Sequence, residues 1–239
     1  MIEFLEVLFL FLTGVMLVYL VRHYIFTLTV LRIAQAPSGN VNSAVSSPSQ
    51  YEPVVSVLIP ARDEEPVIGR LLQRMVELTY PREKLEVIVI NDGSSDGTGR
   101  IAQSYGDKYS YITVLHRDGK TGGKGKSAAM NCGFRHSKGE IILCFDADYY
   151  PQANIVEKLT QEFIDQKVGA VQGRVVVLNE PQNIITRLVA LERIGGYRVD
   201  QEARDTLGLI PQFGGTVGGF RRSVLELLGG WDESAPTAK

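Results

Sequence analysis

The stretch GEIILCFDADYYP, Gly139–Pro151, holds five consecutive apolar residues, Ile141 to Phe145, followed by two carboxylates one residue apart, Asp146 and Asp148. Tyr150-Pro151 then supplies a stop. A short unbroken apolar run bounded in this way reads as a strand buried on both faces, as parallel sheets require. Extended backbone turns residues i and i+2 to the same face, which would hold the two carboxylates about 6–7 Å apart. At an effective dielectric of about 20 their repulsion is on the order of 2 kcal/mol. The pattern therefore asks for a cation between them.

The same alternation extends on both sides of this stretch. VVSVLIP (Val54–Pro60) reads as a strand, and PVIGRLLQRMVELTY (Pro66–Tyr80) has helical spacing with Pro66 in its first turn. A second strand, LEVIVIN, runs into the turn DGSSDGT, and GRIAQSYGDKY is a short helix. YITVLHR, KSAAMNCGFRHS, PQANIVEKLTQEFIDQK and VGAVQGRVVVL read in turn as strand, helix, helix and strand around the opening stretch. Strands alternating with helices predict an α/β domain with a mostly parallel sheet covered on both faces. Ligands of such sheets collect beyond the carboxyl ends of the strands. Polar clusters fall there three times: Arg62-Asp63-Glu64, Asn91-Asp92, and Asp146 with Asp148.

Each cluster has a plain structural reading beside the functional one. INDGSSDGT (Ile90–Thr98) serves equally as a strand-to-helix turn with Asp96 or Ser95 as a cap. Asp92 stands apart, because it ends an apolar strand where a carboxylate can accept from sugar hydroxyls or a base N–H. GKTGGKGKS (Gly119–Ser127) misses the P-loop spacing, since Lys120 stands where the first glycine is required. A triphosphatase is thereby excluded, while a glycine-rich basic loop opening a helix still favours phosphate. For Asp146 and Asp148 a hard divalent cation such as magnesium, shared with substrate phosphates, meets the demand for positive charge.

The 239 residues carry a net charge of -2, which gives no general electrostatic reason to expect nucleic-acid binding. Two cysteines, Cys132 and Cys144, without zinc-type spacing, read as buried free thiols in a reducing compartment. FLEVLFLFLTGVMLVYLV (Phe4–Val21) would form a helix about 27 Å long, close to the roughly 30 Å hydrocarbon thickness. Acidic residues precede it (Glu3, Glu6) and basic ones follow (Arg22, His23, Arg32). A signal peptide would want the reverse at its start, although AQA (Ala34–Ala36) resembles a cleavage site. The reading is a single-pass anchor over residues 1–34 in the cell membrane, a flexible linker over 35–53, and a catalytic domain over 54–239 facing the cytoplasm.

VSVLIPARDEE, VIVINDGSSDGT, GKSAAMNCG and FDADYYP, in this order, resemble family-two glycosyltransferases of the GT-A fold, from about Val54 to Glu233. GGTVGGFRRSVLELLGGWDE resembles the acceptor-side segment of that family. Within it the chain looks most like membrane-bound processive enzymes such as cellulose, hyaluronan and poly-N-acetylglucosamine synthases. The resemblance implies a UDP-sugar donor, Mg2+ or Mn2+, a glycan or lipid acceptor, and inversion at the transferred carbon. It implies a nucleotide pocket at Pro60, Ala61, Arg62 and Glu64, uridine contact at Asp92, and a donor-side lysine at Lys126. Asp146 would face the donor and Asp148 the metal. Asp63-Glu64 stands where relatives have Asn-Glu. The general base of relatives follows Gly-Gly-Trp by a few residues, and the only late acids here are Asp232 and Glu233. Neither fits that motif, so the base is expected beyond Lys239. Two rivals are a donor-binding or scaffold protein without a base, and a sugar-phosphate nucleotidyltransferase, which would want glycines where PARDEE stands. The helical stretch Asn183–Gly208 reads as packing over the acceptor side or on the membrane surface, with a partner interface as the third rival.

Overall fold

The computed structural model describes residues 2–35, 51–117 and 122–234. Most of the expected linker and Gly119–Thr121 of the glycine-rich loop lie outside the described residues. The chain forms two compact units, Met1–Ser47 with Arg174–Gln212, and Pro48–Gly173 with Phe213–Lys239.

The second unit is built on a six-stranded sheet. Its elements are β1 (Val55–Ala61), β2 (Leu85–Asn91), β3 (Ile112–His116), β4 (Ile141–Cys144), β5 (Ala170–Gln172) and β6 (Gly218–Arg221), in the order β3-β2-β1-β4-β6-β5. Helices α2 (Glu65–Val76), α3 (Thr98–Lys108), α4 (Lys126–His136), α5 (Ile155–Gln161) and α8 (Arg222–Leu228) accompany it. Val57, Leu58 and Ile59 of β1, Val87 to Ile90 of β2 and Ile141 to Leu143 of β4 are buried, as unbroken apolar strands covered on both faces must be. Ile68, Leu71, Leu72 and Met75 supply the buried stripe of α2 at helical spacing.

β3, β2, β1 and β4 run parallel, so their carboxyl ends open at one rim. The parallel expectation fails at the far side: β6 pairs antiparallel with both β4 and β5. β6 was not legible in GGFR, because glycine carries no strand signal. Its glycines are required by close approach: a Cβ at Gly219 would stand 2.6 Å from Leu143 Cδ2. The expected strand Val168–Leu178 shrinks to three residues, the chain leaving the sheet after Gln172.

In the first unit, α1 (Ile2–Gln35) is, among the described residues, the one helix long and apolar enough to cross a membrane. The other elements are α6 (Ile184–Ile194), a π-helical segment Gly195–Gln201, and α7 (Glu202–Thr206). The expected helical stretch from Asn183 is thus present, entered through an Asn183–Thr186 capping box.

Candidate active site

Sheet topology brings the three polar clusters to the rim formed by the carboxyl ends of β1, β2 and β4. The Asp92 amide donates to the Ala61 carbonyl at 2.9 Å, which joins the first two clusters at the strand ends. Asp63 adopts a positive φ of 54°, and its carboxylate accepts from the Ser95 amide at 2.7 Å and the Ser95 hydroxyl at 3.1 Å. The Glu64 amide donates to Thr98 Oγ1 at 2.8 Å, and the Glu65 amide to Asp96 at 3.1 Å. DGSSDGT therefore does the structural work of a turn and also clamps ARDEE. Asp96 accepts from the Thr98 hydroxyl and amide, which lowers its pKa.

Asp92 is buried, and one of its oxygens takes both the Arg117 guanidinium and the Gly123 amide, the latter at 3.0 Å. The Arg117 side chain is itself only 8 % exposed, so this is a sealed ion pair, and Asp92 ties Arg117 to Gly123. Sequence reasoning missed Arg117, since a lone arginine after a strand carries no signal of its partner. Arg62 reaches the same loop, where a Cβ on Gly123 would stand 2.9 Å from its Nη1. Pro60 and Ala61 close β1 beneath these groups.

β4 ends at Cys144, and Asp146–Ala147–Asp148 forms a turn closed by the Tyr149 amide on the Asp146 carbonyl at 3.3 Å. The two acids are therefore not alternate residues of an extended strand, as their spacing had implied. Lys126, at the start of α4, donates to Asp146 and, at 2.7 Å, to the Gly215 carbonyl. The cation demanded by the first acid is a lysine of this chain. The Asp148 carboxylate is exposed and makes no hydrogen bond or ion pair among the described residues. Its backbone is held from α2: Arg70 Nη2 donates to the Asp148 carbonyl at 3.1 Å and Arg74 Nε to the Pro151 carbonyl at 2.9 Å, both against the Tyr150 ring. These arginines, too, were unread in the sequence, as was Thr216, whose buried hydroxyl has no partner among the described residues.

Burial first, and then the negative fields of Asp148, Asp146, Asp96 and Asp63, push the Glu64 carboxyl above its ordinary range. Glu64 thus sits among four other carboxylates. Among the described residues no three His, Cys, Asp or Glu side chains gather as a complete metal cage. An unengaged carboxylate at Asp148 in an acidic surround fits a magnesium-like ion, which takes one or two carboxylates and completes its shell with substrate phosphates.

The segment Gly229-Gly230-Trp231 docks on α4. Asn131 Nδ2 donates to the Trp231 carbonyl and to Glu233, each at 2.8 Å, and its oxygen accepts from the Trp231 amide at 2.8 Å. The indole meets Phe134 and Phe220 edge-on. Glu233 is thus occupied in holding this corner.

Comparison with known proteins places this rim in a family. A glycosyltransferase of Bacillus subtilis, YdaM, itself described as probable, is 42% identical over 184 residues, covering 77% of this chain and 44% of its own length. A beta-monoglucosyldiacylglycerol synthase of Trichormus variabilis is 35% identical, covering 77% and 39%. The chain spans less than half the length of these curated relatives. A mannosyltransferase from Pyrobaculum calidifontis, solved with GDP-Man and Mn2+, superposes with a TM-score of 0.64 at 30% identity, covering 77% of this chain and 49% of that one. Staphylococcus aureus TarS residues 1–349, solved with UDP, share the fold at a TM-score of 0.53 and 18% identity, over 77% of this chain and 52% of that one. The expected GT-A architecture stands, and with the description Glycosyl transferase family 2 matching residues 56–229, the chain belongs to glycosyl transferase family 2.

Proposed function

We propose that this chain is the donor-binding part of a membrane-anchored glycosyltransferase that moves a sugar from a UDP-sugar to an acceptor hydroxyl of a glycan or lipid, with Mg2+ or Mn2+. The single observation that carries the reading is the convergence of Asp92, Lys126 and the Asp146–Asp148 turn on one rim. Two relatives support it by their chemistry: one is a glycolipid synthase, and the other is a mannosyltransferase solved with a nucleotide sugar and manganese. The anchor is α1, with the catalytic unit on its cytoplasmic side, in keeping with the basic residues that follow the apolar run.

In this reading the free oxygen of Asp92 accepts a base N–H, and Pro60, Ala61, Arg62 and Glu64 border the nucleoside. Asp148 would hold the divalent ion, which when bound neutralises charge on the donor's diphosphate. Asp146 orients Lys126 beside the same diphosphate, where the ammonium favours the departing charge. In an inverting displacement the acceptor oxygen bonds to the anomeric carbon, and the bond from that carbon to the diphosphate oxygen breaks with its electron pair. The hydroxyl proton passes to a general base.

Calorimetry of UDP binding with and without Mn2+ tests the reading, with GDP as comparator. Asp148→Ala should abolish the metal-dependent part of the affinity and leave the metal-free part unchanged. Wild-type affinity that is indifferent to Mn2+ would remove Asp148 from its role.

A further inference from the structure

We propose that Gln172, the last residue of β5, is a positioning residue for the donor diphosphate. It holds the bend Gly214–Val217 so that the Gly215 carbonyl fixes the ammonium of Lys126. The inference rests on the reading of the β4 rim as the donor site and extends it to a residue that does not itself reach the donor.

The bend lies at that rim. β6 pairs antiparallel with β4, with Gly218 opposite Cys144, so the residues just before Gly218 run past the carboxyl end of β4. Gly215 adopts a φ of 76° and Val217 a φ of 44°. Glycine takes such a conformation freely, whereas for a β-branched residue it is an outlier. Thr216, between the two, is buried, and its hydroxyl has no partner among the described residues. A bend strained at one residue and unsatisfied at the next is not held by its own residues. Such backbone persists only where its surroundings over-determine it.

Gln172 supplies that constraint. Its Oε1 accepts from the Gly214 amide at 2.8 Å. Its Nε2 donates to the carbonyls of Gly173 and Thr216 at 2.7 and 2.9 Å, with the Val217 carbonyl at 3.3 Å. The Gly173 amide adds a bond to the Val217 carbonyl at 2.6 Å. One side chain therefore grips the bend on both sides of Gly215. Its amide has a single workable orientation, because turning it over would set Oε1 against three carbonyl oxygens and Nε2 against an N–H.

The consequence reaches Lys126. The Gly215 carbonyl accepts from Lys126 Nζ at 2.7 Å, and Asp146 accepts from the same ammonium. An ammonium carries three donors, so fixing two of their directions fixes the third. The Lys126 and Asp146 side chains are 38% and 33% exposed, which leaves that third donor open to a ligand. Without the Gly215 carbonyl the ammonium would swing about Asp146 on its flexible stem. A donor held in place before the ligand arrives costs no reorganisation when a phosphate oxygen binds it.

The test titrates the whole chain, in a non-ionic detergent at fixed Mn2+, with UDP and uridine, and in parallel with GDP and guanosine. The ratio of diphosphate to nucleoside affinity isolates what the diphosphate contributes. Q172M, close in length but without hydrogen-bonding groups, should weaken UDP about tenfold and leave uridine within about twofold. K126M should weaken UDP at least as much, and in that background Q172M should add less than about twofold, since the effect runs through Lys126. A Cβ on Gly215 would have nothing within 4 Å, so G215A strains the bend without a clash. It should reproduce Q172M, and it carries the test if Q172M does not fold. Unchanged UDP affinity in the folded variant, a parallel loss of uridine affinity, or the same loss with and without Lys126 would each overturn the positioning role. The donor reading would stand in those cases, because K126M alone tests it. An ineffective K126M, or a wild type that binds neither diphosphate more tightly than its nucleoside, would remove both.

Discussion

Asp92 gives one carboxylate oxygen to the Arg117 guanidinium and the Gly123 amide, so its charge is already committed to the fold before any nucleotide arrives. Removing one member of a sealed pair leaves the other charge poorly compensated, at a cost of about 3 kcal/mol. Asp92→Ala should accordingly lower the urea midpoint of the second unit as well as weaken UDP in the absence of metal. Asp92→Asn separates the two effects, because it keeps an oxygen for Gly123 and loses the charge. It should be the milder variant in urea yet still bind UDP about tenfold more weakly, each hydrogen bond to a charged group being worth roughly 1.5–3 kcal/mol. Unchanged UDP affinity in Asp92→Asn would confine the residue to loop positioning. Residue identity was readable here because Asp92, Asp146 and Asp148 each follow an apolar strand. Their partners Arg117, Lys126 and Gly215 come from distant elements, and a linear sequence holds no record of such approach.

At the scale of elements, legibility followed side-chain volume. β1, β2 and β4 announce themselves through Val, Ile and Leu, and α2 through its apolar stripe, whereas β6 is built on the absence of side chains. Gly219 lies opposite Leu143 in the β4–β6 register, with Phe163 close behind. Gly219→Val should overpack this seam and destabilise the second unit by about 1–3 kcal/mol, measured as a shift in urea midpoint without change of slope. A neutral outcome would mean that β6 can move away from β4. The Asp-x-Asp spacing misled for a related reason: strand geometry was extrapolated two residues past Cys144, where the chain has already turned. In the first unit, α1 and the π-helical segment meet through Asp200. Burial raises its pKa, but hydrogen bonds from Arg204 and Arg22 outweigh burial and hold it below the ordinary carboxylate range. A depressed carboxylate contributes stability at pH above its unfolded value and loses it as pH falls through the folded one. Acidification below pH ~4 should therefore loosen this contact, and Asp200→Asn should erase that acid step in the helicity of the detergent-solubilised chain.

For the whole molecule, the two cysteines provide a readout of integrity that can be taken with no ligand present. Cys144 lies fully within the sheet, and burial pushes its thiol up to about 12, with Lys126 opposing and Asp146 adding to the rise. Cys132, on α4, is only partly buried, so the expectation of two buried thiols holds for one of them. Alkylation requires both thiolate and access. With iodoacetamide at pH 8 the native chain should take one label, on Cys132, and Cys144 should react only as the sheet opens. The rate of the second labelling then measures opening of the second unit through β4, the strand that ends at the Asp146–Asp148 turn. If donor and metal bind at that rim, UDP with Mn2+ should slow Cys144 labelling in the wild type. Mn2+ should add nothing to the protection given by UDP alone in Asp148→Ala. Binding to the folded state alone stabilises it by mass action, so a thousandfold excess over Kd should slow opening by up to about a thousandfold. Labelling of Cys144 as fast as Cys132 in the native chain would show that the central sheet is not closed around β4.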